Sequence, residues 1–254
     1  MILAIDVGNT NIVLGLIREG SIEKIYRFHT NTQETDTEYA IKFSQLLEML
    51  GVKPGALEGC IISSVVPQVT EVLKSALLGL TGAEPMVVGP GMKTGLNVRI
   101  DDPATLGADL AVGSIAALEY YGGPAIVIDL GTATTITLVD ESRSFRGGAI
   151  LPGIKISYGA LTSGTSLLPQ ISIIPPKRVV ATNTVDCMRS GAVYGTAAMI
   201  DGMIERMEEE FGKKCVIVAT GGLASSVIPY CRHEIVCDDD LLLKGLWQLY
   251  LRNR

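Results

Sequence analysis

One eight-residue stretch occurs twice in this chain. Ala4-Ile5-Asp6-Val7-Gly8-Asn9-Thr10-Asn11 aligns without gaps on Val127-Ile128-Asp129-Leu130-Gly131-Thr132-Ala133-Thr134, 123 residues further on in a chain of 254. An echo at half the chain length points to two similar halves. Each copy reads as a short apolar strand ending in Asp-x-Gly. A second β-rich run follows (Ile12–Ile17; Thr135–Val139), then a turn (Arg18–Ser21; Asp140–Arg143), then a third extended stretch. Each half goes on to alternate helices with strands. That order predicts an α/β protein with a mixed, largely parallel sheet in each half. The break is expected near residues 115–123, giving domains 1–117 and 118–254 packed closely around a cleft.

Local signals place the other elements. Thr35-Asp36-Thr37-Glu38 has the form of a capping box, and Tyr39, Phe43, Leu46, Leu47 and Leu50 then share one helical face before Gly51. Ile61–Val66 reads as a buried strand closed by Pro67, Val69–Leu80 as a helix, and Met86–Val88 as a short strand. Thr105–Tyr121 is expected to be helical up to Gly122-Gly123-Pro124. In the second half Ile200, Met203, Ile204, Met207 and Phe211 form an apolar stripe that reads as core. Cys215–Ala219 reads as a buried strand and Asp240–Tyr250 as a last helix.

Charge and composition exclude several functions. Acidic residues outnumber basic ones, 27 to 21, with no long basic run, which disfavours a nucleic-acid partner. Asp6 interrupts the opening apolar run, and no segment reads as membrane-spanning or as a signal peptide. The five scattered cysteines read as reduced thiols of a cytoplasmic protein, and Cys231, His233 and Cys237 match no standard zinc spacing. Gly89-Pro90-Gly91-Met92-Lys93-Thr94 lacks the glycine a P-loop needs before its lysine and reads as a surface loop. With only His29 and His233 present, no serine–histidine–acid triad is credible.

Three glycine-bearing turns carry the chemistry. In Asp6-Val7-Gly8-Asn9-Thr10-Asn11, Gly8 lets backbone approach a phosphate, and successive amides with the Asn9, Thr10 and Asn11 side chains can donate to its oxygens. Asp6 would repel phosphate, so its natural partner is Mg²⁺, through water. Asp129-Leu130-Gly131-Thr132-Ala133-Thr134 is expected to offer the same geometry from the other half. Ala219-Thr220-Gly221-Gly222 ends an apolar strand, and its glycines would let a nucleoside lie against the backbone. One such turn alone is an ordinary hairpin; three in this order point to a bound nucleotide, with two turns clamping the triphosphate. Asp109, in Gly107-Ala108-Asp109-Leu110, is the best candidate to accept a proton from an attacking hydroxyl. It could equally offset a helix dipole in a first turn.

Over nearly its whole length the chain resembles the type III pantothenate kinases. The matching stretches are Asp6–Asn11, Gly91–Asn97, Gly107–Asp109, Asp129–Thr134, Pro152-Gly153, Asn183–Val185 with Ser190-Gly191, and Ala219–Leu223. The resemblance implies two duplicated ribonuclease H-like domains of the actin-like ATPase type, with mixed β-sheets flanking a nucleotide cleft. It implies transfer of phosphate from ATP to pantothenate, the first step toward coenzyme A. It also implies a homodimer that needs Mg²⁺ and a monovalent cation, K⁺ or NH₄⁺. Carried over by residue, Asp6, Val7, Gly8, Asn9, Thr10, Asn11, Ile12 and Val13 bind ATP, with Gly131, Thr132, Gly221 and Gly222. Asp129 and Asp6 serve the metal ions. Asp109 is the proton acceptor, and Gly107, Ala108, Asp109, Leu110 and Thr184 line the pantothenate pocket. Two positions depart from the family pattern: Leu110 stands where an Arg is usual, and Ile100 where a Tyr is common. An Arg there could hold a carboxylate in bidentate fashion. Its loss leaves two alternatives open, a catalytically impaired nucleotide-binding paralogue with a regulatory role and a kinase for another hydroxylated metabolite.

Overall fold

The computed structural model describes residues 1–254. The chain forms two compact units. The first comprises Met1–Gly95, Asp102–Ala116 and Leu242–Arg254; the second comprises Leu96–Asp101 and Ala117–Leu241. The continuous domains expected from sequence, 1–117 and 118–254, differ from these units: Leu96–Asp101 and Ala117 belong to the second unit, and Leu242–Arg254 to the first.

The first unit is built on a five-stranded sheet. Its strands are β1 (Ile2–Val7), β2 (Asn11–Arg18), β3 (Ser21–His29), β4 (Gly59–Ser64) and β5 (Met86–Val87), in the spatial order β3-β2-β1-β4-β5. β1 pairs antiparallel with β2 and parallel with β4, which is the mixed sheet expected. Helices α1 (Asp36–Met49) and α2 (Pro67–Thr81) cover one face. There Tyr39, Phe43, Leu73 and Leu77 pack with Leu3, Ile5, Val7 and Ile62. α1 starts at Thr35 with both arms of the capping box formed. Pro67 does more than close β4: it is the first residue of α2, where its missing N–H costs nothing.

The opposite face of β1 is covered by the last helix, α8 (Leu241–Asn253), whose Leu243 packs on Gly15 and Tyr250 over Gly59. The Tyr250 hydroxyl donates to Glu58 O at 3.1 Å. α3 (Ala108–Tyr120) packs on α8 where Gly245 meets Val112. Buried on both faces, β1 can be apolar throughout, which is why it reads as a continuous run rather than an alternation. α3 starts three residues later than expected, because Pro103–Thr105 form a separate 3₁₀ turn capped by Asp102.

The second unit repeats the plan. β7 (Ala125–Leu130), β8 (Ala133–Val139), β9 (Ser144–Pro152), β10 (Val216–Thr220) and β11 (Val236–Cys237) stand in the order β9-β8-β7-β10-β11. β7 pairs antiparallel with β8 and parallel with β10, as β1 does with β2 and β4. The short β6 (Asn97–Val98) adds to β9 at the edge. α4 (Ile154–Ser163), α5 (Thr184–Ser190), α6 (Thr196–Phe211) and α7 (Ala224–Val227) complete the unit. Ile200 and Ile204 of α6 are fully buried against Ile126, Ile128 and Ile136, with Met203, Met207 and Phe211 at the edge of the same core. The stripe on this helix is therefore core, as its pattern predicts. Between α5 and α6 the helix widens into a π-turn at Gly191–Gly195.

Gly245 sets the distance between α8 and α3. A Cβ there would overlap the Val112 carbonyl oxygen, a backbone atom that cannot swing aside. Alanine is the better helix former by about 1 kcal/mol, yet overpacking costs about 1–3 kcal/mol. Gly245→Ala is expected to lower the midpoint of urea unfolding, whereas Gly79→Ala, with open space at its Cβ position, should raise it or leave it unchanged.

Candidate functional site

Asp6 lies one residue before the end of β1, and the chain turns back at once. Val7 pairs with Ile12, Gly8 N donates to Asn11 O at 2.9 Å, and the Thr30 hydroxyl donates to Gly8 O at 2.6 Å. Asn9, Thr10 and Asn11 are exposed, while Val7 and Ile12 are buried beneath them. The turn thus presents polar side chains and backbone on an apolar base. Val13, half-buried, stands opposite Asp6 in the ladder.

The second copy is related but not identical. Leu130 pairs with Thr134, and Gly131 N donates to Ala133 O at 3.1 Å. This loop is one residue tighter than that at Gly8–Asn11, so the expectation of the same geometry in both halves is corrected. The gapless sequence echo conceals the difference, because Ala133 already belongs to β8 whereas Thr10 remains in the loop.

The structure also unites the second and third turns. Thr220 stands beside Asp129 in the parallel β7–β10 pair, and Leu223 N donates to Leu130 O at 3.3 Å. Gly221 takes φ +95°, and a Cβ there would meet both Asp129 Oδ1 and the Leu130 backbone. A Cβ on Gly131 would lie 3.2 Å from the same Oδ1. The half-buried Asp129 carboxylate is therefore bracketed by two glycines. Gly153, the N-cap of α4, backs this turn: its Cβ position overlaps Thr132 O and lies 2.7 Å from Gly131 O. Sequence reasoning gave Gly153 no role, and nothing short of the fold reveals what it touches.

A pocket of about 380 Å³ opens in the second unit, lined among others by Lys155, Tyr158 and Gly159 of α4, by Gln170 and Ile171, and by Leu223. Burial pushes the Tyr158 phenol above its ordinary pKa of 10.0.

Asp109 sits in the first turn of α3, half-buried, with Oδ1 accepting from Leu110 N at 2.9 Å. Burial raises its pKa from the ordinary 3.8, and the backbone hydrogen bonds only partly offset the rise. Gly107, Ala108 and Leu110 are half-buried around it, and Asp109 Oδ1 lies 2.5 Å from where a Gly107 Cβ would stand. Asp6 and Asp109 belong to the first unit; Asp129, Gly131, Thr132, Thr184, Gly221 and Gly222 belong to the second. Thr184 is exposed at the start of α5, whose N-cap Asn183 accepts from Asp186 N at 2.9 Å. Ile100, at the edge of the second unit, lies 3.8 Å from the Cβ position of Gly147. No group of three or more His, Cys, Asp or Glu side chains forms a metal cage.

Solved structures share this architecture. The inorganic polyphosphate/ATP-glucomannokinase of Arthrobacter sp. superimposes with a TM-score of 0.53 at 15% identity, over 99% of each chain. The (R)-2-hydroxyglutaryl-CoA dehydratase component A of Acidaminococcus fermentans gives 0.59 at 15% identity, over 98% of this chain and 96% of the other. The fold is thus that of the sugar-kinase and actin-like ATPase class. Sequence narrows it further. A family profile described as type III pantothenate kinase matches residues 2–206. The type III pantothenate kinase of Halalkalibacterium halodurans is 44% identical over 253 residues, and that of Moorella thermoacetica 42%, each covering 100% of both chains. The chain belongs to the type III pantothenate kinase family.

Family membership makes it an ATP-binding kinase, and nucleotide binding tests the expectation that ATP contacts the turn at Gly131–Thr132. Gly153→Ala pushes a methyl group against Thr132 O and is expected to weaken ATP binding about tenfold or more by calorimetric titration, a loss of about 1.4 kcal/mol. Gly159→Ala, with open space at its Cβ on the same helix, should leave the fold and the position of that turn unchanged.

Proposed function

We propose that the protein transfers the γ-phosphoryl group of ATP to the terminal hydroxyl of pantothenate, giving 4'-phosphopantothenate, the first step of coenzyme A synthesis. The observation that carries the reading is Asp109. It is a half-buried carboxylate with a raised pKa, in the Gly107–Leu110 segment that the family resemblance assigns to the substrate. A base works best when its pKa approaches the working pH, and burial moves Asp109 in that direction.

In this reading Asp109 takes the proton of the hydroxyl as its oxygen attacks the γ-phosphorus, and ADP leaves. Gly107, Ala108, Leu110 and Thr184 contact pantothenate and hold the hydroxyl in line with the phosphoryl group. Phosphate oxygens accept hydrogen bonds from the Asp6–Val13 turn and from Gly131 and Thr132. The nucleoside lies against Gly221 and Gly222.

The residues fit Mg²⁺ as kinases hold it, through one or two carboxylates and the substrate phosphates rather than an all-protein cage. Asp6 would hold it through water, and when bound the ion neutralises charge on the β- and γ-phosphates. Asp129, a hard oxygen donor between Gly131 and Gly221, suits a K⁺ or NH₄⁺ ion. The five free cysteines suit a reducing, cytoplasmic setting. A homodimer is supported by exposed apolar side chains concentrated in one stretch of the second unit, Ile150, Ile156, Leu161, Leu167, Val179 and Val180. Sedimentation equilibrium should return twice the chain mass of 27.0 kDa, and a monomeric mass would remove the dimer from the reading.

Leu110 favours a second reading. Losing an Arg that pairs with a substrate carboxylate costs about 1.5–3 kcal/mol, enough to redirect the enzyme to another hydroxylated metabolite or to impair it. A coupled assay for ADP release, with and without pantothenate and in K⁺ then Na⁺ buffer, separates these. Pantothenate-dependent turnover that falls in Na⁺ is expected; turnover with other alcohols but never with pantothenate would assign a different substrate.

Asp109→Asn should cut kcat about 10²–10⁴-fold. The wild-type rate should fall as pH drops through the raised pKa of Asp109, since the base must be ionised. Stability should move the opposite way. A carboxyl whose pKa is raised by folding favours the folded state below its ordinary 3.8, and that contribution is lost as pH rises through the folded value. Asp109→Asn, which cannot ionise, should therefore melt at or above the wild-type temperature at pH 7 while its turnover is cut.

A further inference from the structure

Ser63, near the end of β4, has no part in the reading so far. Its residue is 0% exposed, and its Oγ finds no hydrogen-bond partner. A buried hydroxyl in that condition is uncommon and expensive, since it has given up water and received nothing in exchange. The rest of the segment is satisfied. Its neighbour Ser64 accepts from Val66 N at 3.1 Å and from the Thr70 hydroxyl at 2.7 Å.

The register says what Ser63 faces. In the parallel β1–β4 pair Ser63 stands directly beside Asp6. Side chains of adjacent residues in register point to the same side of a sheet. The third member of that row is Val13 of β2, which has no polar side-chain atom. Of the two strands that flank Asp6, only β4 therefore offers it a hydroxyl. The backbone has no slack to change this. Ile5 pairs with Ile62 before the row and Val7 with Ser64 after it, and Val65 N donates to Val7 O at 3.0 Å. What remains free is rotation about χ1 of Ser63, a small-barrier motion between staggered wells.

We infer that Ser63 is a positioning residue for Asp6: its hydroxyl turns to donate to the Asp6 carboxylate when that carboxylate is engaged by a nucleotide-bound divalent cation. A carboxylate has lone pairs for both tasks, one oxygen accepting from a hydroxyl while the other faces the ion's water shell. A donor behind a metal-facing carboxylate fixes its orientation, and loss of such support commonly costs ten- to a hundredfold in affinity for ions held directly. For an ion held through water the expected loss is about three- to tenfold, the worth of one hydrogen bond. The inference rests on the assignment of Asp6 to Mg²⁺ made above.

The test compares wild type with Ser63→Ala by two measurements that need no turnover. One is calorimetric binding of ADP with excess Mg²⁺ and again with EDTA, which gives the gain in affinity due to the metal. The other is the melting temperature of the nucleotide-free protein. For Ser63→Ala a metal-dependent gain about three- to tenfold smaller than wild type, unchanged affinity in EDTA, and a melting temperature equal to or above wild type would support the role. Removing an unsatisfied buried hydroxyl should not harm the fold. A wild-type gain retained in full by Ser63→Ala overturns the Ser63 inference alone. A clear drop in melting temperature also overturns it, by showing that the hydroxyl serves the fold. A wild type with no metal-dependent gain removes the Asp6 assignment and the inference with it.

Discussion

The structure depends on burying one strand from both sides. β1 carries Ile2, Leu3, Ala4, Ile5 and Val7 at or near zero exposure, with α1 and α2 supplying apolar side chains to one face and α8 to the other. A strand in that position has no polar face and can show water only its end. Asp6 sits at that end, where the ladder stops and the chain turns back at Gly8. β7 meets the same constraint, and Asp129 occupies the equivalent place. The carboxylates are where they are because a charge anywhere else on these strands would be entombed. Strand ends of open α/β sheets are where ligands commonly bind, and each unit here ends its central strand with an aspartate and a glycine turn.

Much of this was legible because it is local or periodic. The repeat of Asp-x-Gly revealed the duplication, which the matching strand order of the two sheets bears out. Thr35 and Glu38 announced a capping box that forms as written. The stripe from Ile200 to Phe211 announced a buried helix face. The site was less legible, because its fine geometry comes from residues far apart in sequence. Gly221 bears on Asp129, and Gly153 on Thr132, through contacts that no spacing rule connects. The destination of α8 was hidden for the same reason. Its apolar face shows that it packs, but only Leu243 against Gly15 and Tyr250 over Gly59 show where. The late start of α3 at Ala108 came from Asp102, whose side chain caps a short 3₁₀ turn and so ends one element before another can begin.

The two copies have also diverged in what they offer a ligand. The loop after β1 keeps an extra residue and displays Asn9, Thr10 and Asn11 to solvent, so side chains can do the donating. The loop after β7 is shorter and is wedged from behind by Gly153, while Gly221 takes a backbone conformation that a side chain would strain. There the backbone itself is brought forward, and the surrounding glycines keep it approachable. A phosphate chain has many equivalent oxygens and tolerates either kind of donor. An ion is more demanding, because it reads the position of one carboxylate. The tighter turn is the one packed around its aspartate. Asp129 is held by close backbone on two sides, whereas Asp6 stands beside a looser turn, with β4 next to it in the sheet. Ser63 is the hydroxyl that the parallel register puts there.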